Sequence, residues 1–218
     1  MAGLFRREGR YDRRKLLVHA AKARKKGKPR RAIEAYRRVL EAEPHDTEVH
    51  RKIAPLLARV GQHQAAMDSF TQAMQGLIRS GFEARAVGVC REATEYYPRQ
   101  VELWETIARL RLKVANAADA VSALLEGRSH FRRRRHLPKA IRLLERAYEI
   151  DPTNVTVSFD LSRLLLRSGE RDKARAILAK LQTQLYGRKL RRLRFAQFRN
   201  DPSARTAWVL LRAVLGDG

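Results

Sequence analysis

The chain has 218 residues, 44% of them hydrophobic, which is enough apolar material for a packed core and argues against intrinsic disorder. Forty-seven Lys and Arg against 23 Asp and Glu give a formal charge of +24, and 36 of the basic residues are arginine. Such a field draws acidic proteins, nucleic acid or anionic membranes, whereas the single Cys90 excludes an internal disulfide and suits a reducing cytoplasm.

Residues 1–11 read first as a loose, frayed basic lead-in, the alternative being a weak anchor for an anionic bilayer made by Leu4 and Phe5 beside Arg6, Arg7 and Arg10. This stretch lacks the apolar centre of a secretory signal, and no apolar run in the chain reaches the length of a transmembrane helix. A first helix is predicted over 12–26, with Leu16, Leu17, Ala20 and Ala23 inward, and Gly27 breaks it. A second follows at 30–42. Asp46 or Thr47 caps a third, which ends at Gly61 and carries Pro55 inside, where the missing N–H predicts a kink. Helices four and five are expected at 62–79 and 83–97, and Gly81 separates them. Further helices fall at 101–114, 117–133 and 138–151; Asn154 caps a ninth ending at Gly169, and a tenth covers 170–187. The pattern then decays. Residues 188–199 read as a shorter, altered helix, and Asp201–Pro202 caps a last one, ARTAWVLLRAVLG. Its nearly continuous apolar surface either seals the end of the array or supports self-association with another subunit.

Three of these stretches are copies of one another. PRRAIEAYRRVLEAEP, EARAVGVCREATEYYP and LPKAIRLLERAYEIDP end at Pro44, Pro98 and Pro152, which are equally spaced at about 54 residues. A finer interval lies inside: Ala32 to Ala66, Ala86 to Ala120 and Ala140 to Ala174 are equal steps of about 34 residues, with shorter steps between them. An early aromatic or apolar site holds Leu16, His50, Trp104 and, poorly, Ser158. A small site holds Ala20, Ala54, Ala108 and Ser162, and a later large site Tyr36, Phe70, Leu124 and Leu178.

Over residues 12–182 this pattern resembles the tetratricopeptide repeat, a 34-residue helix–turn–helix with small residues where its helices touch. It departs from that family in its three-helix unit, which runs the length from Pro44 to Pro98 and again from Pro98 to Pro152. The resemblance implies an all-α, right-handed α-solenoid of antiparallel helices, about twelve in number, arranged as a lead-in (1–11), an array (12–187) and altered capping helices (188–218). Ala32, Ala66, Ala86, Ala120, Ala140 and Ala174 are the expected repeat-packing residues.

Charge gathers at three turns. Lys25, Lys26, Lys28, Arg30 and Arg31 surround the first; Arg132, Arg133, Arg134, Arg135 and Lys139 the second; Arg188, Lys189, Arg191, Arg192 and Arg194 the third. Helix parity puts the first two on one edge of the array. Arginine forks grip carboxylate and phosphate in pairs, so these turns are candidate partner-binding sites, although a cation at a helix end is also ordinary solvated surface. Phe131, Phe195 and Phe198 lie near the basic residues at spacings that suit core positions, not base-stacking ones. Cys90 falls at a large apolar site. No phosphate-cradling glycine loop, His-Glu-x-x-His or nucleophile elbow occurs, so neither catalysis nor a cofactor nor a metal is expected. The expected function, implied by the family, is a cytoplasmic non-enzymatic scaffold for a protein partner, acidic by charge complementarity. The alternative is backbone-driven binding of nucleic acid or an anionic surface.

Overall fold

The computed structural model describes residues 11–182 together with Arg194, Phe195, Phe198 and Thr206. Within them are ten α-helices and no strand. They are α1 (Arg13–Lys25), α2 (Pro29–Ala42), α3 (Thr47–Arg59), α4 (His63–Arg79), α5 (Glu83–Tyr96), α6 (Val101–Val114), α7 (Ala117–Ser129), α8 (Leu137–Ile150), α9 (Val155–Ser168) and α10 (Arg171–Gln182), with a 3-10 turn at Arg134–His136. Ten of the about twelve helices expected fall among the described residues. The altered helix at 188–199, apart from Arg194, Phe195 and Phe198, lies outside them, as does the apolar last helix apart from Thr206.

Local chemistry accounts for the helix starts. Asp12, Asp46, Asn116 and Asn154 each precede a helix and accept from the backbone N–H three residues on, at 2.8–3.2 Å. Helices α2 and α8 instead begin at a proline in the first turn, whose N–H would have no partner there. α9 stops at Gly169, whose φ of 92° a residue with a Cβ adopts only under strain. α3 runs through Pro55 as one helix. The start of α1 is tied to the turn after α2: Tyr11 Oη donates to Glu43 at 2.6 Å, and Arg13 donates to both Glu43 and Asp46. The Glu43 bond pushes the Tyr11 phenol up to about 12. Burial pushes the Asp46 carboxyl up, but the Arg13 guanidinium and the Val49 N–H outweigh it and hold it below its ordinary value.

One helix end differs from expectation. α7 stops at Ser129 instead of continuing to 133. Ser129 Oγ donates back to the Glu126 carbonyl at 2.7 Å, and leaving the helix there lets Phe131 turn into the core, where it is 4% exposed.

The chain divides into two compact units, residues 1–97 and 98–218. In the first, α1 packs on α2, α2 on α3, α3 on α4 and α4 on α5, with α3 also touching α5. The second repeats the scheme: α6 on α7, α7 on α8, α8 on α9 and α9 on α10, with α6 touching α8. Helices therefore meet near neighbours in sequence, as stacked helical hairpins do. Ala32, Ala66 and Ala86 in the first unit and Ala120, Ala140 and Ala174 in the second are at most 1% exposed. With only a methyl group at each contact, the backbones approach closely. Ala66→Leu or Ala140→Leu is expected to overpack and destabilise by about 1–3 kcal/mol. The exposed Ala42→Leu should change stability by less than about 0.5 kcal/mol. Urea midpoints of the three variants check both halves.

A further regularity joins the two ends of each proline turn. His50 Nε2 donates to the Pro44 carbonyl at 2.8 Å, Trp104 Nε1 to Pro98 at 2.9 Å, and Ser158 Oγ to Pro152 at 3.5 Å. The residue read as an aromatic or apolar site, poorly filled by Ser158, is a hydrogen-bond donor in all three turns. A carbonyl just past a helix end, beneath a buried side chain, needs such a partner.

Candidate anion-binding cleft

The first basic group surrounds Gly27, which has φ 64°, at the turn between α1 and α2. Lys25, Lys26, Lys28, Arg30 and Arg31 are all exposed and make no ion pair among the described residues. Arg30 and Arg31 border shallow hollows that they share with Glu34, so the charge on that side is mixed.

The second group has a different setting. Burying Phe131 leaves Arg132, Arg133, Arg134 and Arg135 exposed on the segment that enters α8. This segment faces α9 across a cleft of about 430 Å³. Six arginines line it: Arg128 from α7, Arg132, Arg133 and Arg134 from the connection, and Arg163 and Arg167 from α9. Phe131, Leu137 and Leu164 are its apolar lining, and among the described residues no carboxylate lines it. Behind it, Asp160 accepts from Arg128 at 2.7 Å and also from Arg163. One carboxylate thus serves two guanidiniums, and Arg133, Arg134 and Arg167 make no ion pair among the described residues.

Neighbouring groups register this surplus of charge. Partial burial and the cations Arg135, Arg99, Lys139 and Arg133 hold the His136 imidazole below its ordinary value. Its Nε2 accepts from Arg135 Nε at 3.3 Å, which requires the neutral ring. Arg135 and Lys139 flank the cleft without lining it. Sequence reasoning missed Arg128, Arg163 and Arg167, because none belongs to a consecutive basic run and each reads as solvated helix surface. The available signal was the spacing of Arg163 and Arg167, which puts both on one side of α9.

Of the third group, Arg188, Lys189, Arg191 and Arg192 lie outside the described residues. Arg194 is half-buried, with no partner for its Nε among the described residues. Phe195 is 58% exposed, which corrects its assignment to the core, whereas Phe131 and Cys90 are core residues. Among the described residues no three His, Cys, Asp or Glu side chains are placed to hold a metal, and no helix is long and apolar enough to cross a membrane.

Two family models match the chain, both described as tetratricopeptide repeat, over residues 17–76 and 131–193. Together they take in more than half of its length. No curated protein sequence matches. Solved structures that resemble it include PilF of Pseudomonas aeruginosa, 14% identical over 94% of this chain and 89% of that one, at a TM-score of 0.31. MamA residues 41 to the end from Desulfovibrio magneticus are 15% identical over 83% and 95%, at 0.30. A tetratricopeptide repeat protein from Parabacteroides merdae is 15% identical over 93% and 90%, at 0.32.

Proposed function

Because the chain belongs to the tetratricopeptide repeat family, whose folds serve in general as protein-interaction scaffolds, we propose that it is a non-enzymatic adaptor for an acidic protein partner. The observation that carries this reading is the surplus of arginine and lysine at the turns 25–31 and 132–139, exposed and without carboxylate partners among the described residues, in a chain of formal charge +24. Such a surface speeds encounter with an acidic protein and rejects a basic one. The three-helix stretch from one of the spaced prolines to the next is our repeating unit, supported by the even placement of α2, α5 and α8 and by the three proline-carbonyl bonds. A cytoplasmic setting suits its single buried thiol.

Capture from native lysate, with and without nuclease, tests the reading. A discrete acidic protein is expected to stay bound after nuclease, and to be lost when Lys25, Lys26 and Arg31 are all changed to Glu. These positions are exposed, so the triple variant should keep its stability to within about 0.5 kcal/mol per site. Material absorbing at 260 nm that leaves as salt rises would instead establish phosphate-backbone binding.

A further inference from the structure

We propose that the arginine cleft of the second unit binds a phosphorylated side chain on the protein partner, with the phosphoryl dianion held by Arg133, Arg134 and Arg167. This rests on the adaptor reading and narrows it to one ligand chemistry at one place. A carboxylate offers two oxygens and a single charge, and Asp160 behind the cleft is already taken up by Arg128 and Arg163. Asp160 answers only Arg128 and Arg163, so Arg133, Arg134 and Arg167 of the lining have no carboxylate partner among the described residues. A phosphomonoester presents three acceptor oxygens and nearly two charges, and so engages two or three forks together.

One feature adds to the field. The cleft reaches Leu137, the first residue of α8, and that helix has no side-chain cap at its positive end.

The walls favour a peptide over a nucleic acid. Phe131, the sole aromatic residue of the lining among the described residues, is buried and meets His136 edge-on at 6.1 Å between centroids. It offers no open ring face on which a base can stack. Leu137 is half-buried at the rim and gives an aliphatic neighbour of the phosphorylated residue an apolar surface to rest on.

Fluorescence anisotropy on the full chain tests the proposal, using a short fluorescein-labelled peptide with one phosphoserine between two leucines. The phosphopeptide is expected to bind about tenfold or more tightly than the same peptide carrying serine, and more tightly than one carrying glutamate. Arg133→Ala, Arg134→Ala and Arg167→Ala together should abolish the preference while leaving circular dichroism unchanged. If that triple variant misfolds, Arg167→Lys, which keeps the charge and loses the fork, should weaken only the phosphopeptide. Equal binding of the glutamate peptide, or a preference that survives these changes, overturns the proposal. So does displacement by inorganic phosphate alone at peptide concentrations, or stronger binding of single-stranded RNA that the same variants abolish. An acidic, phosphate-free peptide that binds through Lys25, Lys26 and Arg31, without any phosphate preference, overturns the cleft and leaves the adaptor standing. If no acidic peptide of either kind binds, both readings fail.

Discussion

Trp104→Ala is expected to lower the free energy of unfolding by about 3–5 kcal/mol, the cost of truncating a large buried aromatic residue. Trp104 is 1% exposed, and its ring stacks on His130 at 5.6 Å between centroids. Its Nε1 satisfies the Pro98 carbonyl at 2.9 Å. Removing it opens a cavity between α6 and α7 and strips a part-buried acceptor of its partner, and both effects act in the same direction. Trp104→Phe separates them. It keeps most of the volume but still takes from the part-buried Pro98 carbonyl its hydrogen bond, at about 0.5–1.5 kcal/mol. Guanidinium denaturation followed by circular dichroism reads both variants. A loss below about 1 kcal/mol for the alanine variant contradicts the packing described.

The second large effect comes from the other side of the same contact. Gly127 lies within α7, and a Cβ there would sit 2.4 Å from Trp104 Cγ and 2.7 Å from Cδ2. These are atoms of a fixed ring and not the far end of a flexible chain, so the helix has to move away from its neighbour. Gly127→Ala should therefore cost about 1–3 kcal/mol, even though alanine favours a helix over glycine by roughly 1 kcal/mol. In a Trp104→Ala background the ring is gone and only the helical preference remains. There the same substitution should stabilise, by up to about 1 kcal/mol. This change of sign is a double-mutant cycle with a strong coupling. Additive effects would mean that the two residues do not meet.

The helices themselves were largely legible along the chain. Gly81 between α4 and α5, Asn154 before α9 and the prolines that begin α2 and α8 act on their immediate neighbours, so the signal and the structure occupy the same few residues. The early end of α7 was not legible. Residues 130–133 carry no breaker, and the stop depends on a pocket into which Phe131 fits. The role shared by His50, Trp104 and Ser158 was hidden for a related reason. An imidazole, an indole and a hydroxyl have neither size nor hydropathy in common, and only the carbonyl opposite shows that each is a donor.

The linear order of residues determined that this protein is all-helical, where its turns fall and that it carries tetratricopeptide repeats, because helix period, caps and small-residue intervals are short-range properties. Which cations share a hollow was decided only by folding. Arg128, Arg133 and Arg167 come from α7, the connection and α9, and they share a lining because α8 packs against both helices. Charge acts through space, so its concentration in one cleft depends on which helix faces meet.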